Sequence, residues 1–403
     1  MRKSNLAHIF KADGFLARVN IKTAALFVQF IVSVSFNLMG SFLPLFIETE
    51  LRYPLIEATY WTGTAQFISS ILFAICAPFW GFMCDRIGTK KIMMIALAGN
   101  GIAYTGMAAS THINHILILR GLQGSFGGIS TVMFTLVATV VPRGELKKAL
   151  SYQMAAMTMG NLIGPGIGGG LTSVLGYRLT FVISSLLFLT ILPLISTLSI
   201  PPPVKGEAED PGFTLSDVKA SLPDMANLVL VYACMNFIMP MIPWFLGSVG
   251  VPDEELLLYT TVTTTLNGVA FAAATPLLTR IVRDRALPVL SVAAAGAIFS
   301  TAFVRNPLQF IALRASIGAI QSGIPPNLLG GGKSKRRGTT MGFLNSARFV
   351  GMAIGPFIAT NILGEGTQSE ILNVFSVMAG LSLVTALVLY LTHRKPKDTQ
   401  TFA

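Results

Sequence analysis

The stretch GFMCDRIGTKK at positions 81–91 places one acid and three bases between two long apolar segments. A carboxylate at the end of a helix can cap that helix or pair with a base on a neighbouring element, and glycine permits a tight turn. The pattern predicts a short charged turn between antiparallel helices, whose ion pair breaks and re-forms as the helices move. The residues of this predicted latch are Gly81, Asp85, Arg86, Gly88, Lys90 and Lys91.

Three arginines lie inside apolar segments instead of between them: Arg120, Arg314 and Arg348. A charge within a membrane is costly, so each of these residues is a candidate for a functional role. Arg348 lies eight residues into its segment, and its side chain can also extend to the membrane surface.

The other ionisable groups give little sign of catalytic chemistry. None of the 18 Asp and Glu and none of the four His falls in the middle of an apolar segment, and the sequence has no G-x-x-x-x-G-K-[ST] phosphate loop. Cys76, Cys84 and Cys234 lack metal-ligand spacing and are expected to be small buried side chains. We therefore expect no enzyme activity, no metal site and no cofactor.

The composition explains why charge is so sparse. Of 403 residues, 52% are hydrophobic and only 12% are charged, against about 25% charged in soluble domains. The apolar residues come in blocks long enough to cross a bilayer, which takes about 20 residues per helix. The net charge of +11 arises from bases in short loops, a pattern that marks membrane topology and not nucleic-acid binding. The sequence predicts an all-α polytopic membrane protein.

A window of about 19 residues identifies twelve candidate spans. They lie near 24–47, 58–80, 92–110, 115–141, 150–174, 178–200, 226–248, 257–279, 287–304, 307–331, 340–363 and 371–392. On the side of the N-terminus fall 23 of the 29 Lys and Arg, and three fall on the opposite side. Because Lys and Arg are retained in the cytoplasm, both termini are predicted to be cytoplasmic.

The longest hydrophilic connection divides six spans from six, and we expect it to be a linker with a short surface helix at 214–221. The predicted organisation is a cytoplasmic segment 1–23, a six-helix bundle 24–200, a cytoplasmic linker 201–225, a second six-helix bundle 226–392 and a cytoplasmic tail 393–403.

The two sets of spans resemble each other. The matched pairs are Pro78 with Pro276, Asp85-Arg86 with Asp284-Arg285, Arg120 with Arg314, and Gly164-Pro165 with Gly355-Pro356, at offsets of 198, 199, 194 and 191 residues. Four anchors in the same order favour a duplicated six-helix unit in parallel repeat, whose binding site lies at the interface of the repeats.

The pattern G-x-x-x-D-R-x-G-x-K-K at 81–91 resembles the signature loop of the major facilitator superfamily, with Thr89 in place of the usual basic residue. The second copy keeps Asp284 and Arg285 without the glycines, so we expect it to form a weaker gate. LILRGLQGSFGG, which contains Arg120, and GNLIGPGIGGG at 160–170 resemble two further motifs, the second typical of twelve-helix drug:proton antiporters. The resemblance implies the major facilitator fold, with 12 transmembrane helices as two six-helix bundles.

The resemblance also implies roles for individual residues. It gives Arg120 a part in proton transfer or coupling, with Arg314 as its repeat mate. Antiporters usually carry a carboxylate in the cavity, and Glu48 and Glu57 at the span ends come closest, although each also suits a solvated boundary position. In the Gly-Pro motif, small residues permit close packing and proline permits a bend, so we expect either a hinge or simple close packing. The hinge candidates are Gly160, Gly164, Pro165, Gly168 and Gly169.

Polar and flexible side chains within the spans are candidates to line a cavity. An amide can also satisfy itself across a helix contact, and Met is a common filler of cores, so each has a purely structural alternative. The candidates are Asn37, Gln66, Gln123, Gln153, Met157, Asn161, Asn236, Trp244, Asn267, Asn345 and Arg348.

Together these patterns predict a secondary transporter that moves small amphiphilic compounds by alternating access, as multidrug or metabolite efflux by proton antiport. A specific transporter of an anionic metabolite, such as a carboxylate-rich siderophore, is the alternative, because the arginines lack opposing acids. A non-transporting membrane receptor is the alternative of another class. The expected partners are a small-molecule substrate, a proton or other coupling ion and the lipid bilayer, with no nucleic acid. We expect a monomer in the plasma membrane, of the bacterial inner membrane type.

Overall fold

The computed structural model describes residues 21–141, 146–197, 215–282, 286–330 and 337–393. Within these ranges the ordered elements are helices, and no strand occurs in them. The α-helices are α1 Ile21–Asn37, α2 Leu43–Leu51, α3 Leu55–Ile87, α4 Thr89–Ala108, α5 Ile113–Ser125, α6 Ile129–Val140, α7 Leu146–Thr197, α8 Leu215–Asn236, α9 Ile242–Ser248, α10 Leu256–Ile281, α11 Leu287–Ser300, α12 Pro307–Gln321, α13 Ile324–Gly330, α14 Arg337–Leu363 and α15 Gln368–His393.

Each predicted span contains helix in its described part, and in the described ranges seven helical stretches are long and apolar enough to cross a membrane. The longest is 46 residues, about twice what a bilayer requires. It folds back at Gly176, where φ is +80°, so that Gly164 approaches Asn37 while Phe188 packs on Phe36 at 5.0 Å between ring centroids. The all-α membrane fold is confirmed, and the number of twelve crossings stays a prediction.

Several boundaries differ from the predicted ones. Helix α3 continues to Ile87, seven residues beyond the predicted end of its span. Helix α8 begins at Leu215, inside the predicted linker, so the predicted surface helix at 214–221 is the first part of the seventh span. Apolar windows locate the membrane interior, whereas helical hydrogen bonding continues past it into the polar layer.

The first and seventh spans each break at the same place in the repeat. Helix α1 ends at Asn37 and α8 ends at Asn236, and each amide Nδ2 donates to the carbonyl four residues earlier at 2.8 Å. A 3-10 turn follows, and then a helix with Pro44 or Pro243 in its first turn, where proline's missing N–H costs no helical bond. Asn37 and Asn236 are 199 residues apart, as are the two prolines, which adds an anchor to the predicted repeat.

The fourth span breaks between α5 and α6. Trp80 Nε1 donates to the Ser125 carbonyl at 2.6 Å, and Asn100 Nδ2 donates to the Phe126 carbonyl at 2.9 Å. A carbonyl released from a helix inside a bilayer needs such a donor, because no water is available to replace it. The break is therefore held by side chains of the second and third spans.

Buried hydrophobic side chains form separate cores in the two halves. One core draws on α1 to α7, from Ala24 to Ile195, and the others draw on α8 to α15 with the single addition of Leu45 from α2. Between the halves, α3 packs along α14 and α7 packs along α10. Two bodies with their own cores can move relative to each other at a lower cost than either can unfold.

Candidate functional site between the two halves

Arg120 lies on α5 and is only 5% exposed. Its Nη1 donates to Gln123 Oε1 at 3.0 Å, Gln123 Nε2 donates to the Tyr104 hydroxyl at 3.4 Å, and that hydroxyl donates to the Phe36 carbonyl at 3.2 Å. This chain joins the fourth, third and first spans. It leaves only Nε of Arg120 buried without a partner among the described residues.

Arg314 occupies the equivalent place on α12 and is 2% exposed. Its Nε and Nη1 both lack a hydrogen-bond partner in the described part of the chain. The repeat relation extends to the packing of this helix. A Cβ on Gly124 would meet the backbone of Ser69 on α3, and a Cβ on Gly318 would meet Asn267 on α10. The two arginines therefore share their position but not their partners.

The predicted cavity amides fall into two groups. Asn37 Nδ2 donates to Asn161 Oδ1 at 2.9 Å, which brings the first and fifth spans together at an exposed position. Gln153, by contrast, is buried and donates to the Ala25 carbonyl at 3.2 Å. Gln153 thus bonds across a helix contact, as the structural alternative predicts, whereas Gln66 and Asn236 bond within their own helices, to Ser70 and Tyr232.

The remaining lining candidates lie in different surroundings. The guanidinium of Arg348 lies over the rings of Tyr232 and Phe349, at 5.5 and 5.1 Å, and its Nε is buried without a partner in the described ranges. Asn345 precedes Arg348 on α14 and is half-buried. Met157 is 9% exposed and counts among the core side chains. Trp244 approaches Gly366 in the turn before α15, far from the middle of the spans.

The glycines of the Gly-Pro motif face two ways. Gly160, Gly164 and Gly168 lie against α1, where an added Cβ would meet Phe30 O, Asn37 Cβ and the Leu38 carbonyl, and the buried Pro165 lies among them. Gly351 and Gly355 of α14 meet α8 in the same manner, at Val229 and Ala233. Close packing is the direct observation here, and the hinge role remains a prediction.

Gly169 faces the other half. An added Cβ at Gly169 would lie 2.6 Å from Thr261 Cγ2 on α10, and one at Gly63 on α3 would lie 2.8 Å from Thr360 Cγ2 on α14. Gly63 and Thr261 are 198 residues apart, and Gly169 and Thr360 are 191 apart, so these two crossings are related by the repeat. Both lie toward the end of the bundle opposite residues 21 and 393.

The predicted latch is described only in part. Gly88 separates α3 from α4 with φ +93°, a left-handed conformation that glycine adopts without strain. Lys90 Nζ donates to the Ser196 carbonyl at 2.7 Å, at the end of α7, while Arg86 and Lys91 are exposed. The side chain of Asp85, the surroundings of Gly81, and the second copy at Asp284 and Arg285 lie outside the described residues.

The opposite end of the first half carries an ion pair that the sequence alone did not indicate. Arg178 Nε donates to Glu50 Oε2 at 2.6 Å, and its Nη1 donates to the carbonyls of Ala108 and Ser110 at 2.8 and 3.0 Å. Glu48, on α2, is half-buried, and Glu57 is exposed at the start of α3. Among the described residues no three His, Cys, Asp or Glu cluster as metal ligands would.

Sequence reasoning missed four structural residues: Tyr104, Trp80, Asn100 and Arg178. Each is polar or amphipathic and lies within or beside an apolar segment. For Tyr104 and Asn100, a polar group inside an apolar segment was the signal that could have identified them. Outside their own helices, their partners are backbone carbonyls or side chains 19 to 128 residues away, and pattern periodicity carries no information on such pairs.

The paired helical bundles, the repeat-related crossings and the buried polar groups define a membrane transporter of two matched halves. The sequence matches the family model of the Major Facilitator Superfamily over residues 25–328 and 225–403. This chain belongs to the Major Facilitator Superfamily.

Individual relatives cover nearly the whole chain. The Multidrug resistance protein MdtG of Klebsiella pneumoniae (strain 342) is 26% identical over 382 residues, which is 91% of this chain and 92% of that protein. Among solved structures, the nucleoside transporter NupG superposes with a TM-score of 0.71 at 15% identity, over 94% of this chain and 100% of that one. The D-xylose-proton symporter superposes with a TM-score of 0.72 at 15% identity, over 92% and 96% of the two chains.

Proposed function

We propose that this chain exports small amphiphilic compounds across a bacterial inner membrane by alternating access, in exchange for protons. The observation that carries the proposal is the match with a multidrug resistance protein over nine tenths of both chains. The separate cores of the two halves and the repeat-related crossings support alternating access, because they leave each half intact while the contact between them changes.

In this proposal each motif has a separate role. The latch at 81–91 closes the cytoplasmic side, and the glycines of 160–170 form the flexing contact with α1 and α10. Arg120, connected through Gln123 to Tyr104, couples the proton to the movement of the fourth span. Arg314 occupies the equivalent position in the second half. The exposed pair of Asn37 and Asn161 lines the path of the substrate.

The proton itself requires a group that gains and loses it. Glu48 suits this role better than Glu57, because it is half-buried on α2 while Glu57 is exposed. A carboxylate near the end of a span can exchange protons with one side of the membrane and still respond to movement of the halves.

Counterflow in proteoliposomes tests the proposal. The purified protein is assayed with a panel of neutral, cationic and anionic amphiphilic dyes, with and without an imposed pH gradient. We expect accumulation of at least one dye, accelerated by the gradient. Transport that ignores the gradient would exclude proton antiport, and binding without any flux would identify a receptor.

A further inference from the structure

Helix α10 presents a strip of polar side chains to α12. Thr260, Thr263 and Asn267 recur at helical spacing, so they lie on one face of α10, and Thr260 and Thr263 are fully buried. A Cβ on Gly318 of α12 would lie 2.5 Å from Asn267 Oδ1, which shows that this face meets α12. Arg314 precedes Gly318 by one turn on the same face. We call these four residues, Thr260, Thr263, Asn267 and Arg314, the α10–α12 strip.

The strip contains buried polar atoms that the described residues leave without partners. They are Arg314 Nε and Nη1, Asn267 Oδ1 and Thr260 Oγ1. No carboxylate in the described ranges forms an ion pair with Arg314. An unpaired guanidinium inside a membrane is unfavourable, and so is an unpaired amide or hydroxyl. The strip therefore offers polar atoms that the described residues do not pair.

The equivalent site in the first half has more of its polar atoms paired. There Arg120 donates to Gln123, and Ser69, which corresponds to Asn267, donates its hydroxyl to the Gln66 carbonyl at 3.2 Å. Gln123 has no counterpart in the second half, because the residue three positions after Arg314 is Ile317. Among the described residues, Arg120 therefore has one buried nitrogen without a partner, whereas Arg314 has two.

The chemistry of the strip selects its ligand. Arg314 can only donate and is permanently positive, the Thr260 hydroxyl can donate, and rotation of the Asn267 amide about its last bond presents Nδ2 as a further donor. A group of donors around one positive charge fits a carboxylate or sulfonate. We propose that the α10–α12 strip binds the anionic head group of amphiphilic substrates, with Arg314 as the counter-ion.

This inference rests on the proposed export of amphiphiles and names their charge. It combines the predicted amphiphilic substrate with the alternative hypothesis of an anionic substrate. Thr260, Thr263 and Arg314 are buried in the conformation described, and an adjoining face of α10 meets Gly169 of α7 through Thr261. In this proposal a ligand reaches the strip when movement of α10 relative to α7 also loosens its contact with α12, and binding is linked to alternating access.

The test compares two dyes with the same xanthene ring system, anionic fluorescein and a cationic rhodamine ester. Uptake into proteoliposomes is measured for the wild type, Arg314→Gln, Arg314→Lys, Asn267→Ala and the control Arg305→Gln, an exposed arginine outside the spans. We expect Arg314→Gln to raise the KM for fluorescein about tenfold or more, with the rhodamine KM changed less than about twofold. Arg314→Lys is expected to retain part of the affinity, and Arg305→Gln all of it.

If Arg314→Gln does not fold, Asn267→Ala decides, with a several-fold rise in KM for fluorescein alone as the expected result. Equal loss of both dyes in a folded variant, or unchanged fluorescein uptake, overturns the inference. Fluorescein binding to the detergent-solubilised protein, followed by fluorescence anisotropy, separates the two proposals. Arg314-dependent binding without flux would refute export and support the strip, whereas rhodamine flux without fluorescein binding would do the reverse.

Discussion

At the scale of single residues, position within the repeat and chemical role are separate properties. Arg120 and Arg314 share a place on equivalent helices, and Gly124 and Gly318 pack in equivalent contacts one turn later. Their partners differ because one half carries Gln123 and the other Ile317. Buried polar groups are stabilised only by specific donors and acceptors. A single difference in sequence therefore changes the partners available to an arginine at the same position of the repeat.

Replacing Gln123 by Leu tests the network around Arg120. The substitution removes the acceptor of Arg120 Nη1 and the donor to the Tyr104 hydroxyl, and leaves a buried charge with fewer partners. We expect the unfolding free energy to fall by about 1–3 kcal/mol, measured by thermal or denaturant unfolding in detergent. Gln309→Leu on the exposed face of α12 is the control, and equal stability of the two variants would refute the network's importance.

At the scale of helices, small residues decide where the halves meet. Gly169 and Gly63 each accept a threonine of the other half, so that α7 lies close to α10 and α3 close to α14. Both crossings pair a glycine of the first half with a threonine of the second half. The glycine lies on α7 in one crossing and on α3 in the other. Contact through small residues allows close approach without interlocking, which suits surfaces that separate and rejoin.

Gly169→Val should disfavour the closed contact. The added side chain would overlap Thr261, at a cost of about 1–3 kcal/mol, or roughly 5- to 150-fold in the equilibrium between closed and open forms. Spin labels at Arg52 and Glu365, both exposed at this end, should report a longer distance. Gly170→Val is the matched control, because nothing lies within 4 Å of a Cβ there. An unchanged distance in Gly169→Val would show that the crossing does not hold the halves together.

Asp85→Asn tests the predicted latch. Asp85 lies in the last turn of α3, directly before the turn at Gly88. Loss of its charge should reduce flux by about tenfold or more, through the equilibrium between the two facing states, while expression and unfolding temperature stay near those of the wild type. Glu254→Gln, an exposed acid at the opposite end, serves as the control. Wild-type flux in Asp85→Asn would remove the case for a latch.

At the scale of the whole molecule, the distribution of charge predicts the orientation. The loops and terminal segments predicted to share the side of the N-terminus hold 23 of the 29 bases, and the chain belongs to a family of membrane transporters. The contacts between the halves through Gly63, Gly169 and Leu45 lie toward the other end. The arrangement leaves the terminal end as the side at which a cleft would open.

Reporter fusions test the orientation. Because retained Lys and Arg hold their loops in the cytoplasm, alkaline phosphatase fused after Ala403 should be inactive, and the same enzyme inserted at Gly250 should be active. Gly250 lies in the turn between α9 and α10 at the opposite end. An active fusion after Ala403 would contradict the predicted cytoplasmic C-terminus.

The sequence by itself determined the fold class and indicated most of the repeat, because hydropathy, charge and motif spacing are properties of local segments. It also identified Arg120 and Arg314 as buried charges. Only the tertiary structure decided that Arg120 donates to Gln123, which in turn donates to Tyr104, while Arg314 lies beside unpartnered polar groups on α10. Hydrogen bonds form between residues distant in the chain, and their geometry follows from helix packing that no local pattern encodes.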